Sequence, residues 1–583
     1  MSGFDFHPLR LALKALEPTP FEQAVARWAL AHGADDQLAA LTAWTARAEA
    51  AGDSCLPLRG AAAGRHRSPI LSEQSVQALR RQSLVSRGER VAPLVIDDQD
   101  RLYFWRNWRD EQRIGECLLQ RLAAPSVTLD EARLEPALQD AFADSDGSAD
   151  ALQRQAVRQA LRRRLLILTG GPGTGKTRTV SRLIEVAQAL SSTPLCVSVA
   201  APTGKAAQRL NAMFPQQAAA QRSAQTVHRL LGFDPGTHRF RYGRQHPLQC
   251  DLLIVDEVSM LDLGTLRALL DAVPEQACLV LMGDAEQLQS VATGSVLDDI
   301  VQALEGQTDS AVVRLQHGFR SEAALLPALQ AARAGDSEQL LAIGADCAGP
   351  FQVKPCADSA ALAALLDGWV RQLIDRLGEA VHDAGELAAE QLLQLWHRQQ
   401  LLCALNQGPF GARHCASYIE SALRLAWRRP PAEAEFAGRA IMVRSNDYAR
   451  GLFNGDLGVM LPDAQGRLRA WFQPSDGQSL RSFPPGDLPV HAPACAISVH
   501  KSQGSEYARV ALLLPSDSES PILSRQLIYT ALTRAQRSAE IWGESPVIAA
   551  ALERRSQRVG GLQQKLRAAP APDLCEAVHP PAG

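Results

Sequence analysis

The sequence predicts an α/β protein built on open parallel sheets, and three observations carry that expectation. The first is Leu165 to Thr177, LLILTGGPGTGKT, an apolar run that breaks into glycines and ends at Gly-Lys-Thr before the helical pattern TRTVSRLIEVAQAL. Strand, glycine loop and helix in that order are what a phosphate-binding loop requires. The second is an alternation, from residue 151 onward, of short apolar strands with helical stretches, including Pro194–Ala201, Asp251–Val255 and Cys278–Met282; parallel sheets are connected in this way. The third is that these strands end in polar residues, notably Asp256-Glu257 and Gly283-Asp284, at the carboxyl edge where open α/β sheets bind ligands.

The chemistry of the first stretch follows from its residues. Gly170, Gly171, Gly173 and Gly175, with Pro172 and Thr174 between them, let successive N–H groups turn inward on an anion. The following helix aims its positive end at the same place. Lys176 is expected to reach the β and γ phosphates, and Thr177 to hold Mg²⁺ through its hydroxyl. Asp256 is the expected second Mg²⁺ ligand and Glu257 the group that orients the attacking water. ATP and Mg²⁺ are therefore the expected cofactors.

With 583 residues the chain exceeds one core, so three or four domains are expected. A net charge of −3 excludes an overall basic field, though a local basic groove fits within that average. The 11 cysteines form no CxxC pair and no Cys/His set at zinc spacing, which suits a reducing compartment. No apolar run reaches the length of a membrane span and the first residues do not read as a signal peptide, so a cytoplasmic protein without membrane partners is expected.

In chain order, residues 1–122 read as a mainly helical N-terminal domain. Within it, Val91 to Trp108 reads as two strands around the turn Asp97 to Asp100. The aromatics Tyr103, Phe104, Trp105 and Trp108 suit base stacking, partner anchoring or plain core packing. Residues 123–150 are acidic and read as a linker with a marginal helix. A first α/β domain is expected over 151–335, with a hairpin near 232–247 carrying Arg239, Arg241 and Arg244; it reads as a DNA-contacting arm or as a solvated loop. A second is expected over 336–565, interrupted near 455–495 by a small β-barrel whose rim carries Arg467, Arg469 and Trp471. Residues 566–583 are Ala/Pro-rich and read as a disordered tail.

Ten motifs then fall in one order. They are QRQAV (153–157), GGPGTGKT, APTGKAAQRL (201–210), TVHRLLG (226–232), LLIVDEVSM, MGDAEQLQSV (282–291), LQHGFR (315–320), FNGDLG (453–458), VHKSQGSEY (499–507) and YTALTRA (529–535). This set resembles the superfamily 1 DNA helicases, and within them the RecD family, the alpha subunits of exodeoxyribonuclease V, over roughly residues 90 to 545. The resemblance implies two RecA-like P-loop domains, an SH3-like β insertion in the second, and a partner-binding N-terminal domain. It implies that Gln153 reads the adenine edge, that Gln287 couples the γ-phosphate to the DNA groove, and that Arg320 and Arg534 act as arginine fingers. Gly504 and Glu506 would approach the ribose and the domain interface; Thr203, Lys205, Thr226, His228 and Lys501 would lie near single-stranded DNA. Implied partners are DNA, as single strands and duplex ends, and the RecB and RecC subunits of a heterotrimer acting in double-strand break repair and recombination. Movement 5′ to 3′ is implied likewise, with the nuclease in a partner. A stand-alone RecD-like helicase, an assembly subunit with ATPase only, and a protein remodeller are the competing readings. The short stretch before Gly170 favours the complex-forming type, and the Thr/Lys set with KSQGSE favours DNA over protein.

Overall fold

A strand buried on both faces must be apolar at every position, and this is how the two large sheets are built. In the computed structural model, residues 17–125, 127, 129–143, 150–213, 223–307, 310–315, 324–430, 433–447, 449–473 and 479–567 are described. The first large sheet has six strands: β5 (Leu165–Gly170), β6 (Val197–Ala201), β7 (Gln225–Thr226), β10 (Leu252–Val255), β11 (Cys278–Gly283) and β12 (Val312–Leu315). All are parallel, in the order β12-β5-β11-β10-β6-β7. Leu165 and Ile167 of β5 enter one core layer while Leu166 and Leu168 enter the layer on the opposite face, as a two-residue side-chain period dictates. Between β7 and β10 the chain forms the expected hairpin, β8 (Phe233–Asp234) against β9 (Arg239–Phe240), with Arg239, Arg241 and Arg244 exposed.

The second sheet comprises β13 (Phe351–Lys354), β14 (Gln399–Cys403), β20 (Ala496–Ser498), β21 (Tyr507–Leu513) and β22 (Ala535–Trp542). It too is parallel, in the order β13-β22-β21-β14-β20. Two RecA-like domains result. An antiparallel insertion interrupts the second: β15 (Ala440–Val443), β16 (Leu457–Pro462), β17 (Leu468–Phe472), β18 (Arg481–Phe483) and β19 (His491–Pro493), in the order β18-β17-β16-β15-β19. Ile441, Val443, Met460, Ala470 and Phe472 form its own small core. The insertion starts earlier than the expected 455, because the apolar run Ala440–Val443 pairs antiparallel with β16 instead of joining the parallel sheet.

Three other boundaries move, each for a packing reason. The acidic stretch holds the expected helix, but that helix is packed into a domain core and does not act as a free linker. Helix Glu131–Ala141 buries Leu134 and Leu138, with Phe142 following, in the core of the first RecA-like domain. Its carboxylates Glu131 and Glu135 face Arg158 and Arg162 on the next helix. The first domain ends with β12, since helix Leu326–Ala334 buries Ala328, Ala331 and Ala332 in the second domain's core. After helix Ser545–Glu553 the chain leaves the second domain and returns to the first, where helix Leu562–Arg567 buries Leu562 and Leu566. Residues 566 and 567 are thus helix; the tail expected beyond them lies outside the described residues.

The N-terminal domain pairs helices Pro20–Ala31 and Asp36–Ala50 with a four-stranded sheet. Its strands are β1 (Leu56–Pro57), β2 (Val85–Ser86), β3 (Leu94–Ile96) and β4 (Arg101–Phe104), in the order β1-β4-β3-β2. The carboxylate of Asp97 accepts from the N–H groups of Gln99 and Arg101, 3.0 Å each, which fixes the turn between β3 and β4. The second strand stops at Phe104. Trp105 and Trp108 stand on helix Trp105–Ala123, where alternate apolar residues give way to helical spacing. The aromatic cluster packs as core: Tyr103 is fully buried, Trp105 and Trp108 are half-buried, and Val559 of the returning C-terminal segment lies against them.

Candidate active site

The phosphate loop forms as its sequence demands. Gly173 and Gly175 adopt φ of 75° and 87°, a region costly for any side chain, and helix Lys176–Leu190 starts directly after Gly175. A Cβ on Gly170 would stand 2.8 Å from the Leu315 carbonyl, so the loop hugs β12. The Lys176 ammonium donates to the carbonyls of Gly170 and Gly171 at 2.6 and 3.0 Å. A cavity of about 550 Å³ opens here. It is lined by Pro172 through Arg178, Asp256, Glu257, Asp284 and Gln287 from the first domain and by Glu506 and Arg534 from the second.

The acidic pair sits where β10 ends. Glu257 has φ of 52°, and its N–H donates to Asp256 Oδ1 at 2.8 Å. Burial and the adjacent Glu257 push the Asp256 carboxyl up to about 6, against the pull of Lys176. Thr177 and Asp256 place a hydroxyl and a carboxylate in the same cavity as the phosphate loop. Hard oxygen donors with room for water and phosphate suit Mg²⁺. Among the described residues no three His, Cys, Asp or Glu side chains form a self-contained metal cage; a Mg²⁺ ion that shares its ligands with phosphates does not need one.

Side chains from both domains close the cavity. Arg534 is 3% exposed. Its Nη2 donates to Gln287 Oε1 at 2.8 Å, and its Nε to the Thr530 carbonyl at 3.2 Å. Gln287 Nε2 donates to Asp284 Oδ2 at 3.1 Å, which also accepts from the Tyr529 hydroxyl at 3.2 Å. The next residue continues the bridge: Leu288 N–H donates to Thr530 Oγ1 at 2.7 Å, and Leu288 O accepts from Gln503 at 2.8 Å. Arg209 pairs with Glu506 at 2.7 Å across the same cleft. The sequence motifs assign Arg209 no role, although it stands four residues after Lys205 on one helix face within APTGKAAQRL. Asp284 and Tyr529 likewise fall inside motifs, MGDAEQLQSV and YTALTRA, whose pattern alone gives them no function.

Several expected residues stand apart from this cavity. Gln153 does not line it; it is 1% exposed, and neither its amide nitrogen nor its oxygen has a partner. Gly504 does not line it either; it lies at the expected domain interface, where a Cβ would meet Thr203 Oγ1 at 3.4 Å. Arg320 lies outside the described residues.

A second cavity, about 480 Å³, is lined by Thr203, Lys205 and Lys501 together with Arg413, Arg444 and His500. Both domains contribute, and the lining is cationic. Lys205 stands over the Tyr507 ring at 5.5 Å. Burial pushes its ammonium down to about 8, although Asp456 pulls the other way. Thr226 and His228 do not line this cavity. Thr226 caps helix Val227–Leu230, accepting from Arg229 N–H at 3.3 Å, and the His228 ring packs on Phe233 and Phe240 at 5.4 and 5.7 Å.

A nucleotide cleft shared by two RecA-like domains, next to a cationic channel that both domains line, defines an ATP-dependent helicase motor. Residues 153–293 match the AAA domain family and residues 493–540 the UvrD-like helicase C-terminal domain. The RecBCD enzyme subunit RecD of Mycobacterium tuberculosis is 34% identical, over 92% of this chain and 93% of that one. The ATP-dependent RecD2 DNA helicase of Deinococcus radiodurans is 31% identical, over 82% of this chain and 60% of that one. A solved structure of Pif1 helicase from Bacteroides with ADP-AlF3 and ssDNA aligns with 68% of this chain and 92% of that one, at 18% identity and a TM-score of 0.37. The chain belongs to the RecD family of superfamily 1, and it is an ATP-dependent DNA helicase.

Proposed function

We propose that this chain is the 5′-to-3′ motor of a heterotrimer with RecB and RecC, acting on duplex ends in double-strand break repair and recombination. The observation that carries the motor reading is the Gln287–Arg534 hydrogen bond, which ties the phosphate loop's domain to the second domain. In this reading Lys176 and the loop N–H groups hold the β and γ phosphates, and Thr177 and Asp256 hold Mg²⁺, which when bound neutralises the charge on those phosphates. Glu257 orients the attacking water. Arg534, released from Gln287, turns its guanidinium to the charge that develops on the transferred phosphoryl group, and Arg320 acts likewise. Gln287 then reports the state of the γ-phosphate to Leu288 and onward to the channel of Thr203, Lys205 and Lys501, where single-stranded DNA is gripped.

Gln153, buried with an unpartnered amide, reads the adenine edge once nucleotide is present. The RecD relative matched over 93% of its own length is described as a RecBCD enzyme subunit, which supports RecB and RecC as partners. The nuclease site then resides in a partner. A cytoplasmic location fits a DNA repair helicase; separately, among the described residues no helix is long and apolar enough to cross a membrane. The test is unwinding of duplexes with a 5′ or a 3′ single-stranded tail, by the chain alone and after mixing with RecB and RecC. Unwinding from the 5′ tail is expected, strongest in the mixture. Unwinding from the 3′ tail alone would overturn the polarity, and no binding to RecB and RecC would overturn the heterotrimer.

A further inference from the structure

A third concavity, about 520 Å³, lies on the second RecA-like domain and shares no lining residue with the nucleotide cleft or the cationic channel. Five segments bring cations to it: Lys354 from β13, Arg376 from helix Ser359–Leu377, Arg398 from the turn before β14, Arg509 from β21 and Arg537 from β22. Its lining holds one carboxylate, Glu540. That carboxylate is 5% exposed and is already engaged by Lys354 at 2.9 Å, by Arg509, and by the Trp542 indole at 2.8 Å. Arg376 donates to the neutral amide of Gln399 at 2.5 Å. Arg398 and Arg537 are exposed and form no ion pair among the described residues.

Five cations against one spent carboxylate leave an excess of positive charge in a concave, polar site. The crowding shows in Arg376, whose proton affinity is lowered by burial and then by the guanidiniums of Arg509 and Arg398. An ordinary solvated surface would spread such charges apart or intersperse carboxylates. Planar guanidinium forks on separate elements, aimed into one hollow, match the several acceptor oxygens of a phosphate group. The site is also tied to the motor. Arg509 follows Glu506, and Arg537 follows Arg534, by three residues each, roughly 10 Å of extended chain. Glu506 and Arg534 both line the nucleotide cleft.

We propose that this hollow binds a phosphate-class oxyanion, either a free phosphate group or a backbone phosphate of DNA outside the main channel. The test uses the full chain saturated with a non-hydrolysable ATP analogue and magnesium, so that the phosphate loop is filled, and compares it with the double variant Arg398→Ala, Arg537→Ala. Equal binding of the analogue by both proteins reports that the variant is folded. Equilibrium dialysis with labelled sulfate should find one bound sulfate in the parent chain that the variant lacks. A second arm identifies the source. If DNA supplies the phosphate, the dependence of single-stranded DNA affinity on salt should flatten in the variant by about 0.7 in logarithmic slope for each phosphate no longer neutralised. An unchanged slope with the sulfate lost assigns the site to free phosphate. Equal sulfate binding by both proteins, with equal salt slopes, would overturn the proposal.

Discussion

Lys205 shows how one side chain carries a measurable property of the whole channel. It stands over the Tyr507 ring and feels the charge of Asp456, and burial pushes its ammonium down to about 8. Asp456, itself pushed up to about 6 by burial, offsets only part of that cost. With DNA gripped there as proposed, a phosphate would favour the charged lysine, so affinity should be full below the lysine's value and fall as pH rises through about 8. Fluorescence anisotropy with single-stranded DNA should show this loss, and Lys205→Arg should flatten it, because a guanidinium stays charged throughout. A profile identical in parent and variant would remove Lys205 from the DNA grip. Lys205 is legible in the sequence because its motif opens a helix after a strand. Its lowered proton affinity is not, because it comes from burial in the folded chain, where the covering Tyr507 ring is hundreds of residues away in sequence.

At the scale of elements, the returning C-terminal segment is the least legible feature. From Arg558 to Arg567 it binds both the first RecA-like domain and the N-terminal domain. Arg558 donates to the carbonyls of Ala292 and Gly294 at 2.5 and 2.8 Å, just beyond the Gln287 loop. The Val559 N–H donates to Asp53, and the Gly561 N–H to Glu111. Glu111 is 1% exposed and also accepts from Ser54 and from Lys565. Its burial opposes ionisation, but the Lys565 charge and these donors outweigh it and hold the carboxyl below its usual value. The contribution is therefore present above the ordinary carboxylate range and is lost as pH falls through the lowered value. Glu111→Ala leaves Lys565 without its partner, at a cost of about 3 to 5 kcal/mol. Hydrogen exchange across residues 555–567 should rise sharply in that variant; unchanged protection would show that apolar packing of Leu562 and Leu566 suffices. No local pattern announces such a return, since the contacts span some 450 residues. Helix Glu131–Ala141 reads as no more than marginal, within a linker, for a related reason: its acidic residues face outward to Arg158 and Arg162, and they hide the Leu134–Leu138 stripe. The phosphate loop and the strands around it, by contrast, are readable because fully apolar runs ending in polar residues admit few other structures.

At the scale of the whole molecule, two sheets of similar plan face each other across one cleft, and the chemistry belongs to neither alone. Motif order reveals both domains. It does not reveal that Arg534 rests on Gln287, that Arg209 joins Glu506, or that Leu288 is held by Thr530 and Gln503. In the proposed mechanism these contacts would make nucleotide state and domain arrangement one variable, which is what a translocating motor needs. The most direct measurement is the rate of ATP hydrolysis, with and without single-stranded DNA, by the parent chain and by Arg534→Ala. The parent should be stimulated by DNA, while the variant should bind a non-hydrolysable ATP analogue normally and lose about 10³-fold or more of the stimulated rate. A variant that hydrolyses ATP at the parent's stimulated rate would contradict a cleft whose catalysis is completed by the second domain.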